Sequence, residues 1–440
     1  MKSATRIVLA VLASCAAAHA TPAIAGYPTP PGCAEVGDPT GPTFHVDPAH
    51  GDDKNTGSSS SPLKSLQAAI AARKFPPGSL VYLRTGNYGE IVVKDYPNRA
   101  FIHVKAEAGH APSIRSLDVR ATSHWLFEGL LVSRISYHLM RIFPDASNVV
   151  FSRNTLHSIE NSASWSELDW RKKASNGIEA EGPCSTVVNN RVSNVYMGIQ
   201  MMADDGVAQG NHVWFFAADG MRANGSRLVL RQNRITDNLV VDDNHADGIQ
   251  SFNIDGPGFT DQTLDGNVII QTTVKDKPYD GFLQGIGFFD GPYRRLKIVN
   301  NVVIIPSYNG ITVYDVYDSW IVNNTVTGGK FPWIMIADSK RRPLSSNVIV
   351  RNNLSNRIDL SIGATGDHNM LLGSDPGLHF MAYDPLNHTF DLRLKPTSRA
   401  VGAGSATLAP EADVEGTTRV PPIDIGAYQR RTLRDAQQRR

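Results

Sequence analysis

Six short segments built to one plan recur through the middle of this chain: Asn176-Gly177-Ile178-Glu179, Met197-Gly198-Ile199-Gln200, Asp219-Gly220-Met221-Arg222, Asp247-Gly248-Ile249-Gln250, Gln284-Gly285-Ile286-Gly287 and Asn309-Gly310-Ile311-Thr312. Their glycines stand 21, 22, 28, 37 and 25 residues apart. A second series, Asn154, Asn190, Asn211, Asn233, Asn267, Asn301, Asn324 and Asn353, runs out of phase with the first. A period near 22 residues with short β-branched runs predicts a stacked, all-β solenoid in which each rung buries its inward residues against its neighbours. Stacking lines equivalent side chains into columns, so a site is to be sought by column.

The chain has 440 residues, 41% of them hydrophobic and 19% charged, enough to bury a large core. No linker interrupts the repeats, which predicts one elongated domain. With 43 basic and 42 acidic residues the net charge is +1, so bulk electrostatics favours neither nucleic acid nor a membrane surface. An acidic ligand would have to be met by a local cluster. The chain is expected to be a monomer.

Residues 1–25 read as an export signal. Lys2 and Arg6 supply the positive start, Ile7 to Ala13 an apolar stretch too short to span a bilayer, and Ala18-His19-Ala20 or Ala23-Ile24-Ala25 a cleavage site. A secreted or periplasmic protein is therefore expected; Leu12-Ala13-Ser14-Cys15 also matches a lipoprotein box, which would anchor the chain through Cys15. The remaining cysteines, Cys33 and Cys184, could pair in an oxidising compartment or stay apart.

Residues 26–43 are Pro/Gly-rich and predict an extended lead-in. Phe44 to Asp47 reads as a first strand, and Ser61-Pro62 as the start of a short helix with Leu63, Leu66 and Ile70 on one face, capping the open end of the solenoid. Each coil is read as one strand after the Gly, one before the Asn and one after it, with Asn taking the tight bend. Inserts fall at 155–176, Asp237 to His245, Ile254 to Asp261 and Val274 to Phe282, all beside the Gly-led strand, where they would wall a cleft. The helical domain runs from 44 to 429, ends in a cap from Asp391 to Tyr428, and is followed by a charged tail at 430–440.

The two series, the opening through Pro62-Leu63-Lys64-Ser65-Leu66-Gln67-Ala68-Ala69-Ile70 and the ending Phe390-Asp391-Leu392-Arg393-Leu394 with Asp424-Ile425-Gly426-Ala427-Tyr428 resemble the right-handed parallel β-helix proteins of the pectate-lyase-like superfamily. The resemblance covers nearly all of the mature chain and implies that the Gly-led sheet carries the substrate groove. It specifies fold better than chemistry, because polysaccharide lyases, inverting hydrolases, uronan epimerases and non-catalytic adhesins share it. The polygalacturonase-like branch is disfavoured: Asp204-Asp205 and Arg295-Leu296-Lys297 are present, but its Asn-Thr-Asp and Gly-His-Gly are not.

If the Ile or Met after each Gly points inward, its neighbours point outward. Glu179, Gln200, Arg222 and Gln250 then form one outward column, and the glycines a second over which a flat polymer could lie. Asp219 and Asp247 enter adjacent rungs roughly 4.8 Å apart. The run Asp242 to Gln250 is the densest polar segment entering this face; Asp242 and Asn244 suit a turn, whereas His245 with Asp247 suits acid/base work. Arg222 would neutralise a substrate carboxylate or pair with Asp219. Those four, His245, Asp247, Arg222 and Asp219, are the expected catalytic residues of a lyase acting on an acidic polysaccharide. Glu179, Gln200, Gln250, His138, Arg141, Lys172, Trp165 and Trp170 are the expected substrate contacts. In several related lyases calcium neutralises the uronate, and Asp204-Asp205 would be its site here unless it is only a turn. An inverting hydrolase would instead use Asp219 with Asp247, or Asp205 with Asp219. An epimerase, or a non-catalytic carbohydrate-binding or surface-assembly protein, would share the same coils.

Overall fold

The computed structural model describes residues 27–430 apart from 254–255, 276, 330 and 340–341. The predicted leader with Cys15, the first two residues of the insert that starts at Ile254 and the tail beyond Arg430 lie outside the described residues. Among the described residues the strands form three parallel sheets of 15, 11 and 12 strands and one antiparallel pair. The 11-stranded sheet holds the Gly-led strands in sequence order, from Glu90–Lys94 to Arg357–Asp359. The 15-stranded sheet holds the strands before each Asn, and the 12-stranded sheet those after it.

Register is kept along the Gly-led sheet except for one shift between Asn309 and Ile311, where that strand meets Trp333–Ala337. Ile178, Ile199, Met221, Ile249, Ile286, Ile311 and Ile334 pair in succession and are buried in one continuous core. The outward column reads Asp118, Arg141, Glu179, Gln200, Arg222, Gln250, Gly287, Thr312 and Met335.

The Asn series is a hydrogen-bonded ladder inside the coil. Asn211 Nδ2 donates to Asn233 Oδ1 at 3.0 Å, Asn233 to Asn267 at 2.9 Å, and so on from Asn154 to Asn369. The same Oδ1 atoms accept from the main-chain N–H one rung below, so one side chain satisfies a buried bend. The left-handed bend itself lies one residue earlier than expected. Arg153, Asn189, Gln232, Asn300, Asn323 and Asn352 have φ between 52 and 57°, which frees the next residue to point its amide inward.

The glycine column also departs from expectation: it faces the core. A methyl on Gly177, Gly198, Gly220, Gly248, Gly285 or Gly310 would meet Val192, Val213, Ile235, Ile269, Val303 or Val326 of the post-Asn sheet at less than 3.0 Å. These glycines let two sheets meet at a sharp corner; they are not a bed for a polymer.

The capping helix is Leu66–Ala71, with Ser65 rather than Ser61 as its cap: Ser65 Oγ accepts from Ala68 N at 3.1 Å. Ahead of it the lead-in lies across the outside of the pre-Asn sheet, where Tyr27, Ala34 and Val36 cover Phe101, Leu126, Val150 and Val188. Cys33 and Cys184 are disulfide-bonded, fastening this strap. At the other end, Phe380–Asp384 and Thr389–Leu394 pair as a hairpin over a second apolar cluster that includes Ile425 and Ala427.

Candidate functional site

Three of the four inserts meet on one edge of the Gly-led sheet; the other pairs Phe259–Thr260 with Tyr293–Arg294 in the 15-stranded sheet. Ser166 and Asp169 close a capping box on the helix Glu167–Lys173, which packs Trp165 and Trp170 against Ala217, Leu239 and Val241. Tyr279 from a later insert donates to Trp165 O at 2.7 Å. The walls therefore share a small core of their own. The two tryptophans are its centre and are buried, so the expectation that they stack on sugar fails. Lys172 is exposed on that helix and lines neither cleft described below; Arg171 lines one instead.

Asp219 and Asp247 are on adjacent rungs, both buried. Asp247 N donates to Asp219 Oδ1 at 3.1 Å, and Arg222 Nε donates to Asp219 Oδ2 at 2.7 Å. That leaves the Nη groups of Arg222 for a ligand, while its guanidinium lies 5.3 Å from the Phe252 ring centre. Asp247 Oδ2 bonds Gln250 Nε2 at 3.0 Å and His245 Nδ1 at 3.2 Å. Its other oxygen, Oδ1, is buried without a hydrogen-bond partner beside Gly287.

Burial, reinforced by the Asp219 charge, pushes the Asp247 carboxyl up to about 6, with His245 and Gln250 pulling the other way. Burial raises Asp219 too, against the opposing pull of Arg222. The hydrogen bond to Asp247 raises His245 above its ordinary value. With Nδ1 turned to Asp247, His245 presents Nε2 to a cleft of about 440 Å³ lined also by Gln250, Phe252, Gln284, Phe289, Asp290 and Asn309. Phe289 is thus a cleft residue, while its neighbour Phe288 is core.

A second cleft of about 260 Å³ lies toward the N-terminal rungs, lined by Tyr137, His138, Arg141, Arg171, Asn176, Glu179 and Tyr196 among others. His138 Nε2 bonds Asp118 Oδ1 at 2.6 Å, and Arg141 lies 3.4 Å from Glu179 and 2.8 Å from Glu181. Gln200 Nε2 reaches Glu179 Oε1 at 3.4 Å. The structure therefore brings His245, Asp247, Arg222, Asp219 and Gln250 together, and groups Glu179, His138, Arg141 and Gln200 a few rungs away.

Asp204 and Asp205 belong to neither group. Arg227 takes both: Nε to Asp205 Oδ1 at 2.5 Å and Nη2 to Asp204 Oδ2 at 3.0 Å. A guanidinium already supplies the cation that calcium was expected to be, so this pair does not fit a metal site. Among the described residues no group of three or more His, Cys, Asp or Glu is placed to hold a metal ion. Sequence reading missed Gln284 and Asn309 as cleft residues, although both hold the same position before glycine as Asp247.

Residues 117–370 match the family model described as the right handed beta helix region. No curated protein matches the sequence. Among solved structures, pectate lyase Pel9A aligns at 18% identity with a TM-score of 0.51, covering 90% of this chain and 98% of its own. A rhamnogalacturonan lyase aligns at 14% identity and TM-score 0.48, covering 91% and 98%. The GH136 lacto-N-biosidase from Eubacterium ramulus aligns at 12% and 0.40, covering 74% and 68%. Likeness at these identities is likeness of fold.

Proposed function

This chain belongs to the right-handed β-helix family, and we propose that it is a polysaccharide lyase cleaving an acidic, uronate-containing polymer by β-elimination. The observation that carries this reading is the His245–Asp247 pair: an exposed imidazole held through Nδ1 by a buried carboxylate, with Nε2 open to the cleft and Arg222 one rung away. His245 Nε2 takes the proton on the carbon beside the uronate carboxylate. That electron pair forms the new C=C bond as the bond to the leaving oxygen breaks. The Nη groups of Arg222 hold the charge that builds on the carboxylate, and the imidazolium returns its proton to the departing oxygen.

A hydrolase is the poorer fit. Inverting hydrolysis needs carboxyl groups roughly 6.5–9.5 Å apart with water between them. Asp219 and Asp247 sit one rung apart, are buried, and share a direct main-chain hydrogen bond. The Cys33–Cys184 bond supports a secreted or periplasmic location. The test is incubation with a panel of uronic-acid polymers while following absorbance at the unsaturated-uronate band. Growth that His245→Ala abolishes supports the lyase. Reducing ends without that absorbance would replace it with a hydrolase, and binding without turnover would replace it with a binding module.

A further inference from the structure

The floor of the groove changes character at Asp247. On the N-terminal side the outward column is mostly charged: Asp118, Arg141, Glu179 and, past Gln200, Arg222. On the other side it is Gln250, Gly287, Thr312 and Met335, uncharged for four rungs until Asp359. The parallel column reads Asn176, Met197, Asp219, Asp247, Gln284, Asn309 and Trp333, so its two carboxylates stand on adjacent rungs and it is uncharged from Gln284 to Trp333. Both columns are therefore uncharged over the three rungs of Gln284, Asn309 and Trp333.

Beyond that rung stands an aromatic platform. Tyr308 is 49% exposed and its ring centre lies 4.8 Å from that of Trp333. Trp333 is fixed on two sides, its Nε1 donating to Thr312 Oγ1 at 3.0 Å and the Arg357 guanidinium standing 5.3 Å from the ring centre. Asp359 pairs with Arg357 at 2.8 Å, so this cation brings little net charge to the platform. Between platform and His245 lie the amides of Gln284 and Asn309, bonded to each other at 2.9 Å. The Asp290 carboxylate is exposed at the same cleft, where it would repel an anion. Trp333 is three rungs from Asp247, roughly 14 Å at the spacing of paired strands.

We propose that the groove on the Tyr308–Trp333 side of His245 is a subsite for a neutral sugar, whose ring lies on Tyr308 and whose hydroxyls meet Gln284 and Asn309. Aromatic rings offer an apolar face with a polar edge, which suits a pyranose; an uncharged floor beside a carboxylate does not suit a uronate. The inference rests on the reading of this groove as a polysaccharide site and narrows it. The preferred polymer carries a uronate at Arg222 and neutral residues beyond the scissile bond, a mixed rather than a purely uronic chain.

The test uses the full chain bearing His245→Ala, so that binding is read without turnover. Intrinsic fluorescence is titrated with galactotetraose, mannotetraose, xylotetraose and tetragalacturonate. The proposal expects quenching by at least one neutral tetrasaccharide. Adding Tyr308→Ala, a change at an exposed ring, should weaken that binding at least tenfold, and Trp333→Phe should remove most of the signal. No quenching by any neutral probe, stronger quenching by tetragalacturonate, or an unchanged affinity in Tyr308→Ala overturns it. Failure here leaves the lyase assay untouched, because that assay reads unsaturated products from an active chain; conversely, a failed lyase assay does not alter these affinities.

Discussion

Asp247 holds His245 from beneath: the carboxylate is fully buried, the imidazole is 63% exposed, and 3.2 Å separates Oδ2 from Nδ1. The bond fixes which ring nitrogen faces the cleft and stabilises the charged imidazole, which is why His245 titrates above its ordinary 6.5. A base must be neutral to work, so kcat/KM should rise with pH through a value above 6.5 and then level. In Asp247→Asn the anion is gone. The residual activity should then titrate at a lower pH, with kcat down by about two orders of magnitude or more. A pH–rate profile that does not move in Asp247→Asn would detach the pair from the chemistry.

The same carboxylate is a burden on the fold. Its value rises from 3.8 to about 6 because burial opposes the charge. A carboxyl raised in this way adds stability at pH values below 3.8, and that contribution is lost as pH climbs through about 6. The full shift corresponds to roughly 3 kcal/mol. Asp247→Asn should therefore be far less active yet more stable than the parent at pH 8, with little gain at pH 4. Denaturant midpoints at the two pH values check the sign.

Arg222 serves two masters, a buried partner and an open cleft. Removing it in Arg222→Gln strands the Asp219 carboxylate, a change that typically destabilises by about 3–5 kcal/mol. The double variant Arg222→Gln/Asp219→Asn removes both charges and should recover most of that loss while leaving activity absent. Were activity to return with stability, Arg222 would be a structural partner of Asp219 and nothing more.

The Asn ladder makes a prediction about cooperativity. Asn233 Oδ1 accepts from Asn211 N and Nδ2, and its own Nδ2 donates to Ala208 O and Asn267 Oδ1. Asn233→Ala leaves the buried Asn211 N, Asn211 Nδ2 and Ala208 O without partners, and each such group costs about 1–3 kcal/mol. A loss of at least about 3 kcal/mol is expected, against well under 1 kcal/mol for replacing an exposed residue such as Lys172. Chemical denaturation of both variants measures the contrast.

Period and side-chain chemistry made the coils legible in the sequence. A buried amide repeated once per turn has few roles other than a ladder, and an apolar residue after each glycine marks the inward face. What was not legible is the direction of groups whose reason lies on another sheet. The glycines look like an open surface until Val192, Val213 and Ile235 come up against them from behind. Trp165 and Trp170 look like sugar platforms because their partners, Leu239 and Val241, belong to a different insert. Asp204-Asp205 looks like a cation site because Arg227 is one coil further on. The His245–Asp247 pair was legible because both residues lie within one short segment, whereas the Tyr308–Trp333 platform joins residues 25 positions apart across two rungs.

Gly248 tests the corner most directly, because it adjoins Asp247 in sequence yet faces away from it. A methyl there would press on Ile269 Cγ2 and on the Gly285 carbonyl at less than 3.0 Å. Gly248→Ala has no left-handed backbone to strain, so any cost is overpacking, typically about 1–3 kcal/mol. The strand must then move outward, carrying Asp247 and Gln250 with it. Activity should fall more than stability alone explains, with kcat reduced at a temperature where the variant is still fully folded. Adding Ile269→Ala, which removes the opposing Cγ2, should recover rate, and stability beyond the sum of the two single changes. Recovery of stability without recovery of rate would mean that the corner does not set the position of the catalytic carboxylate.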